Sequence, residues 1–110
     1  MAKITTATFK GASGSSYSFD VYSSDTSFKN VGAVYAFTKR TVDSKGKGTH
    51  EILYIGESGK LGERIERHEK WSCVEPLGVN CICIHLDGNS NSRLDKESDL
   101  IGKANPPCNG

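Results

Sequence analysis

The sequence predicts an α+β domain, and three observations carry that reading. Short runs of β-branched and aromatic residues alternate with polar ones, as at Tyr17, Phe19 and Val21 and again at Tyr35 and Phe37. After Gly56 the apolar spacing changes from two to four, with Leu61 and Ile65 on one helical face. Glycine, asparagine and proline punctuate the places where one pattern gives way to the next.

The bulk numbers bound what such a domain can be. A chain of 110 residues buries one modest core, and 35% apolar with 25% charged residues is the composition of an ordinary globule. No apolar run approaches a membrane span and no secretory h-region opens the chain, so the expected address is cytoplasmic, with no membrane partner. A net charge of +1 argues against gripping nucleic acid by bulk electrostatics, which leaves only a local patch. In such a setting Cys73, Cys81, Cys83 and Cys108 are expected as reduced, buried thiols. The competing reading is zinc: Cys81, Cys83 and His85 alternate on one strand face, with Cys73 or Cys108 as a fourth ligand. That spacing lacks the C-x2-C knuckle of a strong zinc motif.

Taken in order, residues 4–10 read as a threonine-rich strand, 11–16 as a turn and 17–22 as a second strand, a hairpin followed by the polar loop 23–30. Residues 32–41 form the next strand, and the polar segment 43–49 returns the chain to a strand at Ile52 to Ile55. Pairing these two about Ser44 and Lys45 sets Tyr35 opposite Tyr54, Phe37 opposite Ile52 and Val34 opposite Ile55, which keeps the faces in parity. Gly56 breaks the strand. Ser58 is placed to cap a helix that carries Arg64 and His68 along one stripe, four apart. A loop around Pro76 and Gly78 leads to a strand at 79–86, with Ile82, Ile84 and Leu86 opposite the cysteine face. A last helix starts at Asn91 or Ser92 and runs to about Lys103 before Asn105-Pro106-Pro107 stops it. Leu94, Ile101 and Ala104 give that helix an apolar stripe, and Glu97 sits inside it. A carboxylate so placed needs a cation, a hydrogen-bond network or water, since burying it unpaired costs several kcal/mol.

Two phenols on one sheet face, an arginine and a histidine on a helix, and a lone glutamate on another helix are the parts that phosphodiester hydrolysis uses. Their order and spacing resemble the GIY-YIG nucleases. Ala33-Val34-Tyr35 stands where that family has Gly-Ile-Tyr, and Tyr54-Ile55-Gly56 matches its second motif outright. Arg64 and His68 are similar to its helical arginine and histidine, and Glu97 with Asn109 to its closing glutamate and asparagine. Asn105 competes with Asn109 for that last place. The resemblance runs from Gly32 to Asn109, with alanine replacing the first glycine of the motif.

The resemblance implies a small three-stranded antiparallel sheet flanked by helices in the order β-β-α-β-α. Residues 32–110 would form this core, and residues 1–31 an extra N-terminal hairpin on the same single domain. It also implies a metal-dependent endonuclease acting on DNA, with one Mg2+ or Mn2+ on Glu97. Arg64 would neutralise the phosphate, and Tyr35 would act as or assist the general base, with Tyr54 orienting water or phosphate and His68 positioning Tyr35 or relaying its proton. Lys60, Arg67 and Lys70 beside Arg64 would track a DNA backbone, diluted by Glu63, Glu66 and Glu69. No separate DNA-reading module is visible in the sequence, so targeting is expected from a partner protein, from self-association or from substrate shape. A non-catalytic nucleic-acid or protein-binding module that keeps the fold is the alternative.

Overall fold

The computed structural model describes residues 3–109. Its elements are β1 (Thr5–Lys10), β2 (Ser16–Ser23), β3 (Ala33–Val42), β4 (Gly48–Ser58), α1 (Leu61–Glu66), α2 (Trp71–Val74), β5 (Cys81–Leu86) and α3 (Ser90–Ala104). All five strands join one antiparallel, curled sheet in the order β1-β2-β5-β3-β4.

This corrects the three-stranded expectation. β3, β4 and β5 do lie side by side, but the sheet continues, because β2 pairs Asp20 through Ser23 with Ile84 through Cys81. The reason is on one face: Phe19 and Val21 are buried in the same cluster as Cys81, Cys83, Val34 and Ala36. A strand with one apolar face needs a neighbour, and the open edge of β5 supplies it. The hairpin is also tied to α3, where the Asp99 carboxylate accepts from the Ser13 amide at 2.8 Å and from the Ser13 and Tyr17 hydroxyls, each at 2.7 Å.

The β3–β4 register also departs from expectation. Tyr35 faces Gly56 and Phe37 faces Tyr54, while Thr38 faces Ile52, so Leu53 is an extra residue in a bulge. The shift is even on the inner half of the hairpin, so Tyr35 and Tyr54 still share a face. The bulge turns both Leu53 and Tyr54 into the cluster with Phe37, Ile82 and Ile84. α1 and α2 cover that face through Leu61, Ile65 and Val74, and α3 covers the other through Leu100.

The helices are placed by remote partners. α1 stops at Glu66, short of His68, and Ser58 does not cap it: the Ser58 hydroxyl accepts from the Lys60 amide at 2.9 Å. The orphan N–H groups of α1 go instead to the 29–31 segment, Leu61 to the Val31 carbonyl, Gly62 to the Lys29 carbonyl and Glu63 to Asn30 Oδ1. Asn89 caps α3 by accepting from the Ser92 amide at 2.9 Å, two or three residues earlier than expected. Leu94 is half exposed, and the buried line on α3 runs through Arg93 and Leu100.

Cys73 and Cys108 form a disulfide, against the expectation of four thiols, while Cys81 and Cys83 are free and buried. Pro106 through Asn109 fold back along β4, which brings Cys108 to the Leu53 carbonyl and beside α2. The zinc reading fails on His85, whose two ring nitrogens are engaged: Nδ1 donates to the Ser18 carbonyl and Nε2 accepts from Lys96, each at 2.8 Å. Among the described residues no helix is long and apolar enough to cross a membrane.

Candidate active site

The far end of β4 is where the two layers meet. Tyr35 on β3 lies under Gly56: a Cβ at that glycine would stand 2.6 Å from the Tyr35 Cζ and Oη and 2.9 Å from Tyr54. Any side chain there would push the phenol away, so the strand's sudden glycine is explained by close approach. Tyr54 packs beside Tyr35 with ring centroids 6.2 Å apart.

His68 reaches Tyr35 from the turn between α1 and α2 rather than from a helix face. Its Nε2 lies 2.7 Å from the Tyr35 oxygen, and its ring stands edge-on to both tyrosines. The other nitrogen, Nδ1, accepts from the backbone N–H of Lys70 at 3.1 Å. An amide can only donate, so Nδ1 carries no proton and Nε2 does. His68 therefore donates to the Tyr35 oxygen. Burial, and then the nearby Arg64 charge, push its imidazole down to about 4, so it is neutral at ordinary pH.

Arg64 projects from α1 toward both phenols. Burial raises each phenol above its ordinary value of 10, and the Arg64 guanidinium opposes that rise at both, by charge and by hydrogen bonding. The fork is engaged: it grips Glu69 through two bonds of 2.5 and 2.9 Å, with the carboxylate largely in solvent. The Arg64 hydrogen bonds hold the Glu69 carboxyl down at about 2. Glu69 is thus not only a charge that dilutes the basic patch: it pairs with Arg64 five residues away, across the end of α1.

Glu97 comes from α3. Its half-buried carboxyl is pushed up, first by burial and then by Glu57, and Arg64 pulls it back. Glu57 is itself held by the buried Arg93, whose Nε donates to Oε1 at 2.9 Å. Arg93 also packs against Gly32 and Gly59, whose missing Cβ atoms leave room for its guanidinium, and donates to the Asp87 carbonyl at 3.1 Å.

Asn109 does not face this cluster directly. Its side-chain amide pairs with both backbone groups of Ile55, accepting from N–H and donating to C=O at 2.8 Å each, and so mimics a strand partner between Tyr54 and Gly56. Asn105 is the left-handed residue that ends α3. Lys60 and Arg67 line a shallow hollow of about 300 Å³ with Ser58, Glu63 and Arg64. Lys70 is not part of that lining, and its backbone serves His68.

Glu69, Glu57 and Arg93 went unforeseen. A spacing of five is not a helical neighbour relation, and Glu57 and Arg93 lie 36 residues apart, so local pattern carried no signal for either pair.

No family model, no curated protein and no solved structure matches this chain. Glu97, with Glu57 beside it, offers the hard oxygen donors that suit a divalent ion such as Mg2+ or Mn2+. Among the described residues no group of three His, Cys, Asp or Glu side chains gathers to hold a metal, so water would complete the shell.

Proposed function

We propose that this chain is a divalent-metal-dependent endonuclease of the GIY-YIG kind, hydrolysing phosphodiester bonds of DNA. One arrangement supports the reading above others: a phenol whose oxygen receives a hydrogen bond from neutral His68, with Arg64, Tyr54 and Glu97 around it. When bound on Glu97, the metal would polarise a phosphate oxygen and stabilise the departing one.

The chain's own residues do the rest. With Nε2 protonated, His68 cannot take the Tyr35 proton; it fixes the phenol and stabilises any negative charge on its oxygen, a positioning role and not a relay. Burial makes Tyr35 reluctant to ionise; to serve as a base it would first have to give its own proton to water, and the Arg64 charge is what favours that loss. Arg64 exchanges the solvent-exposed carboxylate of Glu69 for a phosphate, since both fit the same planar fork. Such a solvent-exposed pair is cheap to give up. Asn109 holds β4 so that Tyr54 and Gly56 keep their places. Lys60 and Arg67 extend the phosphate track from the hollow beside Arg64.

One observation favours a second reading. Tyr35 is fully buried, which suits a non-catalytic nucleic-acid or protein-binding module in which the tyrosine pair only packs. Nicking of supercoiled plasmid with Mg2+ or Mn2+ separates the two. Endonuclease action requires metal-dependent nicking that disappears in Glu97→Ala and falls by about 10²- to 10³-fold in Arg64→Ala. Nicking that persists equally in Glu97→Ala, or that ignores chelator, sinks the proposal. Cytoplasmic location, expected from the sequence, would leave Cys73 and Cys108 as thiols, because that compartment keeps such pairs reduced.

A further inference from the structure

The sheet carries a second polar recess, at the opposite end of β4. It is a cleft of about 380 Å³ between β1 and the outer half of the β3–β4 hairpin, and neither α1 nor α3 lines it. Thr6 and Thr8 border it on β1, with Arg40, Gly48 and His50 across from them. We propose that this cleft binds a phosphate group, through the Arg40 guanidinium and His50, with the open edge of β1 across from them.

Arg40 carries the argument. The other arginines that are not exposed are both answered by acids, Arg64 by Glu69 and Arg93 by Glu57. Arg40 has no acid partner among the described residues, and its Nε is buried with no hydrogen-bond acceptor at all. The guanidinium lines the cleft with no carboxylate to balance its charge, so an anion there would be its counter-charge. The guanidinium is also seated. It lies against Gly48, where a Cβ would come within 3.0 Å of Nε and 3.1 Å of Nη2, so β4 keeps that position bare for it.

His50 is fixed in the same way. Its Nδ1 lies 2.8 Å from the Thr38 hydroxyl, and Phe9 meets its ring edge-on at 5.6 Å. That leaves Nε2 without a partner among the described residues and able to serve a ligand in the cleft. Arg40 and His50 line the cleft from the β3–β4 hairpin, and residues 5–9 of the edge strand β1 line it from the other side. A carboxylate offers two oxygens in one plane, which the fork alone would satisfy. A phosphate offers oxygens in three dimensions and can meet donors from both sides. The shared chemistry is a phosphate, whether of a small molecule or of a nucleic-acid strand. The proposal does not depend on the nuclease reading, since none of these residues belongs to the Tyr35 site.

The test is an NMR amide titration of the full chain with inorganic phosphate at constant ionic strength. Saturable shifts are expected at Thr6, Thr8, Gly48 and His50. Arg40→Gln should weaken binding by about ten-fold or more, because a charge-assisted fork is lost. Lys47→Gln removes the same charge from the same hairpin and should change binding by less than about two-fold. Arg40→Lys keeps the charge without the fork and should also weaken it, which guards against a folding defect in Arg40→Gln. Glu97→Ala should bind as the parent does, so loss of nicking there leaves this site intact. A 5′-phosphorylated oligonucleotide that binds more tightly than inorganic phosphate identifies a strand as the source; the reverse order identifies a small molecule. Absence of saturable shifts in the cleft, equal weakening by Arg40→Gln and Lys47→Gln, or equal binding of acetate overturns the proposal.

Discussion

His68 and Gly56 are where single atoms decide the site. For His68, the tautomer follows from one backbone amide, and the consequence is thermodynamic. The folded imidazole titrates near 4, while an unperturbed one titrates near 6.5. Between those values the unfolded chain holds more protons, so stability is whole above about pH 6.5 and is lost as the pH falls toward 4. The full loss is roughly 3 kcal/mol. His68→Gln keeps a donor for Tyr35 but cannot ionise. Denaturant unfolding at about pH 7.5 and about pH 4.5 should show a gap that is smaller in the variant by about 1–3 kcal/mol. An identical gap would mean that His68 is not held neutral. At Gly56 the prediction is steric. Gly56→Ala would drive a methyl into the Tyr35 ring, costing about 1–3 kcal/mol in thermal unfolding and displacing the phenol that His68 holds. Unchanged stability with unchanged tyrosine fluorescence would contradict the close approach.

At the scale of elements, β4 depends on a partner that is not a strand. Its outer edge at Leu53 and Ile55 is closed by the Cys108 amide and the Asn109 side chain. Asn109→Ala would strip both backbone groups of Ile55, a loss of about 1–3 kcal/mol, and should speed hydrogen exchange at the Ile55 amide selectively. Exchange at Ile55 that matches the parent chain would show the edge is closed some other way. This closure also marks what the sequence could and could not disclose. The strands and their inner faces were readable, because Tyr35, Phe37, Ile82 and Ile84 alternate with period two. The bulge at Leu53 was not, since an extra residue leaves no local mark when its neighbours are all apolar. The hairpin's docking was also hidden: Phe19 and Val21 announce a buried face but not which edge buries it. In the site, Tyr35, Tyr54, Arg64, His68 and Glu97 were picked out by residue type and order. The partners that set their chemistry, Glu69, Glu57 and the Lys70 amide, come from turns and long-range packing that periodicity does not reach.

Across the whole molecule, one covalent bond joins the layer that carries His68 to the segment that closes β4. Cys73 lies in α2, just past the His68 turn, and Cys108 precedes Asn109, so the disulfide spans both supports of the site. It closes a loop of 35 residues. In the chain-entropy account, releasing a loop of that length from the unfolded state costs roughly 4 kcal/mol, with native strain subtracting from it. For a domain of this size that loss corresponds to a fall in Tm of about 15–30 °C. Reduction should therefore lower Tm steeply, and Cys73→Ser/Cys108→Ser should reproduce the reduced value without responding to reductant. The site should loosen before the sheet does, because the bond ties α2 to the segment along β4, while the β2–β5 pairing lies on the far side of β3. Under reductant at a temperature where the fold survives, exchange at Ile55 should accelerate while exchange at Val21 and Cys83, in the middle of the β2–β5 pairing, stays slow. If reduction leaves Tm within about 2 °C of the oxidised chain, the two thiols already sit in a fold that does not need the bond. The chain would then work equally well in a reducing compartment.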